Sequence, residues 1–309
     1  MGLETGLFRV LITGGTGFIG SHICISLIKS GFEVVCLDNL SNGKTRNLEP
    51  VLDSPELKLI NGDIRSMEDC EKAMVGCTHV CHLAARSSVL GSSDEELMET
   101  NLQGTRNLVQ CAIKNEILMF VFSSSCAVYG DAKPPITLNT DLNPISAYGK
   151  SKMLAEELIQ NSGLNHSILR YFNVYGPRQR DDSPYSAVIP IFFSKLLAGL
   201  PPTIYGTGEQ TRDFIHVDDV VSANLSALRG EGEPILNIGT GKATSIAELL
   251  HTIQEFMRQN DEHLVLEQPV IAQAREGEIQ HSWCGDATAT ISLETGLHST
   301  ISKFLEEAE

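Results

Sequence analysis

From residue 8 to about 125, short apolar runs alternate with amphipathic stretches at the spacing of strands followed by helices. The runs that read as strands are 9–13, 33–37, 57–61, 79–83 and 119–123, and the amphipathic segments lie at 20–30, 66–75 and 94–115. A further strand is expected over 166–171, after a helix that begins near Ala147. Strands alternating with helices predict an α/β fold, a doubly wound parallel sheet with helices on both faces and right-handed crossovers. From about residue 176 the texture changes, with Gly176-Pro177, Pro184, Pro190 and Gly199-Leu-Pro-Pro202 breaking the alternation. This predicts a first domain over 1–175 and a smaller C-terminal lobe over 176–309. A helix at 218–228 and a strand at 234–238 are expected to return, within 214–240, to the main sheet. No internal repeat or low-complexity segment interrupts the pattern.

The first strand runs straight into Thr13-Gly-Gly-Thr-Gly-Phe-Ile-Gly20 and then a helix. Gly15, Gly17 and Gly20 fit G-x-G-x-x-G, while Gly14, Gly17 and Gly20 fit its wider-spaced variant. The first glycines make the tight turn, Gly17 lets backbone approach a pyrophosphate, and Gly20 lets the helix pack on the strand. The free N–H groups and dipole at the helix start then face the phosphates. The second strand ends in Asp38, about twenty residues on, where an acid binds the ribose 2′-hydroxyl of NAD and repels a 2′-phosphate. The expected fold is therefore Rossmann-type, with NAD as cofactor and the C-terminal lobe binding substrate.

Net charge is −16, from 39 acids against 23 bases, which argues against nucleic acid or an anionic membrane surface as partner. Any arginine aimed at an anionic substrate stands out against that background. With no apolar run of membrane-spanning length and no basic region leading an apolar block, a cytoplasmic protein is expected. Gly6 stands where myristoylation needs Ser or Thr. The eight cysteines are scattered through predicted elements and read as reduced thiols. One run, Cys77-Thr-His79-Val-Cys81-His82, invites a metal reading. On a strand, Cys77, His79 and Cys81 would share one face about 6–7 Å apart while His82 points away, poor geometry for zinc, and no metal is expected.

Tyr148 and Lys152 stand four residues apart at a helix start, on one face. A phenol that titrates near 10 is a poor base at neutral pH unless cations favour the phenolate, and Lys152 with a positive nicotinamide ring would supply them. Upstream, 120–125 ends a buried strand in three serines, placing a hydroxyl where it can bond a substrate oxygen beside Tyr148.

Together these segments resemble the extended short-chain dehydrogenase/reductase family, and within it the nucleotide-sugar 4-epimerases. The resemblance spans almost the whole chain. It includes Asp38-Asn-Leu-Ser, Gly62-Asp63-Ile64, His82-Leu-Ala-Ala85, Asn101, Ser123–Tyr129, Arg170–Gly176, Arg212–Asp219, Asn237-Ile-Gly239 and Arg275-Glu-Gly-Glu278. The resemblance implies that Ser125, Tyr148 and Lys152 are catalytic. It implies an NAD site formed by Gly14, Gly17, Phe18, Ile19, Gly20, Asp38 and Asn39, with Asp63 and Ile64 bordering the adenine. Leu83, Ala84, Ala85, Tyr148, Lys152 and Tyr171 would complete it, with Asn101 positioning the catalytic helix. In this family Tyr148 takes the proton of the sugar 4-hydroxyl while hydride passes from C4 to NAD. The 4-ketose then turns over and is reduced on its other face, without net redox.

On the substrate side the resemblance implies that Asn173, Arg212 and Arg275 grip the nucleotide diphosphate, a task guanidinium forks suit. For Arg212 the alternative is an ion pair with Asp213. Glu278 stands where the family has Asp at the nucleoside ribose. Ser282 falls at the hexose gate, where a small residue admits N-acetylated sugars, and Tyr185–Pro190, with Val188, resembles a segment of UDP-N-acetylglucosamine 4-epimerases. Related 4,6-dehydratases carry an Asp-Glu pair after the catalytic hydroxyl, and UDP-glucuronate decarboxylases a Glu; this chain has Cys126-Ala127, which disfavours dehydration. Cys126 lies one position before the cysteine of fucose-synthase-like enzymes and reads as packing.

The expected activity is an NAD-dependent UDP-hexose 4-epimerase acting on UDP-GlcNAc/UDP-GalNAc or UDP-glucose/UDP-galactose. The alternatives are a uronate 4-epimerase or 4-ketoreductase on the same scaffold, and a non-catalytic NAD-binding or RNA-binding relative, which the intact Tyr/Lys pair and acidic charge oppose. The helix after Lys152 ends near Asn161-Ser-Gly163, which puts a family-type homodimer in doubt. Arg86 replaces a commoner neutral residue.

Overall fold

The computed structural model describes residues 8–86, 93–179, 187–260, 266–274 and 277–308. Strand β1 (Arg9–Thr13) leads through the glycine turn into α1 (Phe18–Lys29), followed by β2 (Glu33–Asp38), β3 (Leu57–Asn61), α2 (Met67–Met74) and β4 (His79–His82). Next come α3 (Asp94–Met98), a π-turn over Glu99–Gln103, α4 (Gly104–Lys114) and β5 (Met119–Ser125). A 3-10 turn at Cys126–Tyr129, α5 (Ala147–Gln160) and β6 (His166–Tyr171) close this run. Beyond it lie β7 (Asn173–Tyr175), α6 (Val188–Leu197), β8 (Thr203–Tyr205), β9 (Thr211–Arg212), β10 (Phe214–His216), α7 (Val217–Leu228) and β11 (Ile235–Ile238). The chain finishes with β12 (Thr244–Ser245), α8 (Ile246–Asn260), β13 (Val270–Ala272), β14 (His281–Ser282) and α9 (Leu293–Ala308).

Two compact units result. The first comprises Met1–Gly130, Asp141–Tyr171 and Val220–Asn237, the second Asp131–Thr140, Phe172–Asp219 and Ile238–Glu309. The division falls after Tyr171 rather than after residue 175, because Asn173–Tyr175 leave the main sheet and pair with Phe214–His216. The returning stretch is correspondingly shorter than 214–240. Residues 131–140 join the second unit, where Ile136 bridges Cys284 and the Leu138 N–H donates to Asp286.

The first unit is built on a seven-stranded sheet in the order β11-β6-β5-β4-β1-β2-β3, with parallel pairing from β6 through β3. This is a Rossmann-like α/β sheet. The order reverses between β1 and β4, and in such sheets the crevice beyond the carboxyl ends at that reversal is where ligands bind. Continuous apolar strands follow from helices covering both faces. Leu11, Val35, Val80, Phe120 and Phe122 pack with Met74 of α2, Leu108 of α4 and Ile159 of α5 in one cluster. The segment expected as one helix over 94–115 is broken by the π-turn, whose extra residue turns Asn101 inward to 2 % exposure.

The second unit holds smaller sheets, β10-β7, β12-β9-β14 and β13-β8. Its own core joins Phe192, Phe193, Leu249, Ile253, Leu297 and Ile301. Asp213, fully buried, organises it by accepting from the Thr240 N–H and hydroxyl and from the Gly241 and Cys284 N–H groups at 2.6–3.1 Å. No disulfide joins any of the eight cysteines. Among the described residues no helix is long and apolar enough to cross a membrane.

Candidate active site

Every residue assigned to the cofactor except Asn101 lines one cleft of about 270 Å³ in the first unit, from Gly14 and Asp38 at one end to Tyr148, Lys152 and Tyr171. The glycine turn is obligatory for steric reasons. A Cβ on Gly20 would stand 2.2 Å from the Gly14 carbonyl oxygen, and one on Gly14, whose φ is +72°, would stand 2.8 Å from the Ala84 nitrogen. A Cβ on Gly17, which lines the cleft, would press on the Gly14 carbonyl oxygen at 3.1 Å. Asp38, 8 % exposed, accepts from the Thr16 and Leu40 N–H groups at 3.0 and 2.9 Å, which fixes its carboxylate at the edge of the cleft. Arg65 holds the Asp63 carboxyl down at about 2, and Asn39 donates to the same group at 2.9 Å. The Thr100 hydroxyl, buried in the wall of the cleft, has no protein partner among the described residues, as a ligand-binding group would. A turn cleared of side chains, a fixed acid and an unpartnered hydroxyl all fit NAD.

The three residues expected to be catalytic lie around the end of β5. Ser125 caps the following 3-10 turn by accepting from the Ala127 N–H at 3.2 Å, and its hydroxyl acts on Tyr148 in the direction of favouring ionisation. Lys152, 3 % exposed, donates to the Ser123 carbonyl at 2.7 Å and stands 4.7 Å from the Phe122 ring centre and 5.9 Å from that of Tyr148. This modifies the sequence expectation for the pair. Lys152 lies over the tyrosine ring, yet burial pushes Tyr148 up to about 12, with the Ser125 hydroxyl working the other way. Burial also pushes Lys152 down, to about 8, with the Glu156 charge working the other way.

Asn101 stands behind the cleft. Its amide accepts from the Arg86 N–H at 2.8 Å and donates to the Arg86 carbonyl and the Ser151 hydroxyl, both at 2.9 Å. A second relay runs from the glycine turn through His82. Thr105 donates to the Asn101 carbonyl, so it accepts from His82 Nε2, which leaves Nδ1 to accept from Thr13 at 2.7 Å. That arrangement needs neutral His82, and burial together with the Lys152 charge pushes it down to about 3. Tyr171 is bonded through its hydroxyl to Ser123 and Asn224.

The cysteine and histidine run near β4 is otherwise engaged. His79 lies against the Phe8 ring and Cys81 donates to Asn224. Cys77 precedes the strand and clusters with Val80, instead of sharing a face with His79 and Cys81. Among the described residues no group of three His, Cys, Asp or Glu could hold a metal ion.

In the second unit the substrate-side residues also converge. Ser282, buried on β14, is in register with Arg212 on β9, and Glu278 pairs with Arg212 at 3.3 Å. The acid beside Arg212 is thus Glu278, while Asp213 is spent on backbone N–H groups. The Asn173 amide donates to the Asp213 carbonyl at 3.2 Å, and Val188 opens α6. Arg275 and Tyr185 lie outside the described residues.

Several residues of the cleft escaped sequence reasoning. Gly43 is one: a Cβ there would strike Thr16, a close approach that the Ser-Asn-Gly turn at 41–43 signals. Arg65 is another, and the buried Glu156–Arg170 pair escaped as well, while Arg86, singled out in the sequence without a role, also lines the cleft.

A profile described as "Epimerase: NAD dependent epimerase/dehydratase family" matches residues 10–239. A putative UDP-glucose 4-epimerase of Methanocaldococcus jannaschii is 40 % identical over 87 % of each chain. A UDP-N-acetyl-alpha-D-glucosaminuronate decarboxylase of Bacillus cytotoxicus is 37 % identical over 80 % of this chain and 79 % of its own length. Among solved structures, the UDP-N-acetylglucosamine 4-epimerase of Methanobrevibacter ruminantium, in complex with UDP-N-acetylmuramic acid, superposes with a TM-score of 0.89 at 34 % identity, covering 97 % of this chain and 99 % of its own.

Proposed function

We propose, from the premise that the chain belongs to the NAD dependent epimerase/dehydratase family, that it inverts C4 of a UDP-hexose through a transient 4-keto sugar. UDP-N-acetylglucosamine and UDP-N-acetylgalactosamine are the favoured pair. The observation that carries this reading is the placement of Tyr148 and Lys152, the ammonium 5.9 Å from the tyrosine ring centre, in the same cleft as the glycine turn and Asp38.

When bound, oxidised NAD supplies a hydride acceptor and a positive charge. Tyr148 needs that charge, because burial holds it as a phenol well above neutral pH. Once ionised, its oxygen takes the proton of the 4-hydroxyl, while Ser125 bonds the same sugar oxygen as it becomes a carbonyl. Lys152 keeps positive charge over the tyrosine ring. The ketose turns over, and Tyr148 returns the proton on completion. Arg212, with Asn173 and Arg275, binds the diphosphate, and the small Ser282 leaves room for an acetamido group.

The decarboxylase relative makes a uronate substrate the second reading. Against it, the two side chains after Ser125 are Cys126 and Ala127, neither a carboxyl. The test is to incubate the purified protein with UDP-glucose, UDP-N-acetylglucosamine and their uronates and to resolve the products. Interconversion of the N-acetylhexosamines without net NAD reduction is expected. Release of carbon dioxide from a uronate, with no epimer formed from any hexose, would overturn the proposal.

A further inference from the structure

Behind the catalytic pair lies a buried ionic network with no part in the mechanism above. Glu156, one helical turn past Lys152 on α5, is 2 % exposed. Arg170 of β6, 5 % exposed, grips its carboxylate, with Nε donating at 3.0 and 3.2 Å and Nη2 at 2.6 Å, and the Ser124 hydroxyl donates to the same group. The remaining end of Arg170 donates to the Tyr129 hydroxyl at 2.8 Å, which donates to Asn237 at 2.8 Å. A buried pair of this kind is a poor source of stability, since well-packed apolar residues of similar volume often replace it at no loss. It sits, however, beside the one ammonium that the proposed chemistry needs.

Burial disfavours the charge of Lys152, and the groups around it carry none to offset that. From β5 the Phe122 ring and the Ser123 carbonyl receive the ammonium, from β4 a neutral His82 faces it, on its own helix the Tyr148 ring lies beside it, and Tyr171 of β6 lines the same cleft as a phenol. Cys126, next to Tyr148, adds no positive partner. The Glu156 carboxylate is the acid that acts on Lys152 in the direction of retaining its proton. A carboxylate remains a charge in the interior only where donors surround it, and Arg170 and Ser124 supply them.

We propose that Glu156 is a positioning residue of the active site: clamped by Arg170 and Ser124, it is the counter-charge that keeps Lys152 a cation, and it thereby sets the alkaline limit of activity. This rests on the reading that Lys152 works with Tyr148. Ser124 carries the link to the reacting end, because it lies between Ser123, whose carbonyl holds Lys152, and Ser125, which the proposed mechanism sets on the sugar oxygen.

The test compares Glu156→Gln, the double variant Glu156→Gln/Arg170→Met, and Glu156→Asp. The double variant removes the cation that the single change strands in the interior, so the fold survives even where Glu156→Gln alone does not. Two readouts are taken: the pH profile of turnover, and the titration of Lys152 followed by NMR in protein with labelled lysine. In Glu156→Gln the alkaline limb and the Lys152 titration both move to lower pH by about one unit or more, a tenfold change in the ammonium's equilibrium, and the double variant, which loses a cation as well, moves them the same way by less. Turnover at pH 8.5 falls accordingly while KM for the nucleotide sugar changes less than about threefold. Glu156→Asp, which keeps the charge, restores most of both. A folded double variant with wild-type limb and wild-type Lys152 titration would overturn the proposal and leave the network a packing feature. A protein without epimerase activity whose Lys152 titration still shifts would sink the functional reading and keep this one.

Discussion

Asn101 donates to the Ser151 hydroxyl at 2.9 Å, and Ser151 in turn donates to the Tyr148 carbonyl at 2.8 Å. The first turn of α5 is thereby tied to the π-turn, independently of what the Tyr148 side chain does. Tyr148→Phe should therefore leave the backbone and the cleft in place. Turnover is expected to fall at least about a hundredfold, as for loss of a general acid-base group, with nucleotide-sugar affinity nearly unchanged. Steady-state kinetics with a binding titration checks both halves, and near-normal turnover would remove Tyr148 from the chemistry.

Asp38 is committed twice, to two backbone N–H groups and to the edge of the cleft. A 2′-phosphate would meet a carboxylate that cannot swing away. NAD(H) should bind at least about tenfold more tightly than NADP(H), a difference of about 1.4 kcal/mol. Titration calorimetry with both cofactors decides, and equal affinities would refute the assignment.

His82 predicts a dependence of stability on pH. Its folded pKa, about 3, lies below the ordinary value of 6.5 in the unfolded chain, so between those values the unfolded state binds more protons. Stability is full above about pH 6.5 and is lost as pH falls toward 3. By pH 5 the loss amounts to about 2 kcal/mol at most. His79, pushed down to about 4 by burial, adds in the same direction. Denaturant melts between pH 7.5 and 5 should show the slope, and His82→Gln should be weaker at pH 7.5 but visibly less acid-sensitive. An equal slope in that variant would exclude His82 as a source.

Ser282 is buried beside Arg212, so its size bears on what fits next to that guanidinium. Ser282→Tyr should cut activity on UDP-N-acetylglucosamine by more than about tenfold while largely sparing UDP-glucose. Relative activities on the two sugars, read with a melting curve to show the variant is folded, test this. An unchanged ratio would move the N-acetyl preference to other residues.

Local features were legible in the sequence because local physics sets them. The bounds of β1, β3 and β6 coincide with the apolar runs, and the glycine turn, Asp38 and the Tyr148/Lys152 spacing each carry their reason within a few residues. What stayed hidden depends on distant partners. Glu156 and Arg170 look like ordinary polar positions of a helix and a strand until the fold pairs them. Nothing near Arg212 announces Glu278 as its partner, because β14 must first align with β9. The π-turn is likewise invisible, since periodicity alone continues the helix and only the inward bonds of Asn101 justify an extra residue.

The order of the large sheet also bears on how this protein is made. Its edge strand β11 comes from residues 235–238, so a ribosome working from the amino terminus delivers β6 long before the neighbour that covers it. During that interval β6 offers an open row of amide and carbonyl groups, the kind of edge that recruits other chains. A nascent chain stalled near residue 175 would thus hold a nearly complete cofactor cleft and a sticky flank at once. Chaperone demand during synthesis should peak there and fall once residue 238 has cleared the exit tunnel.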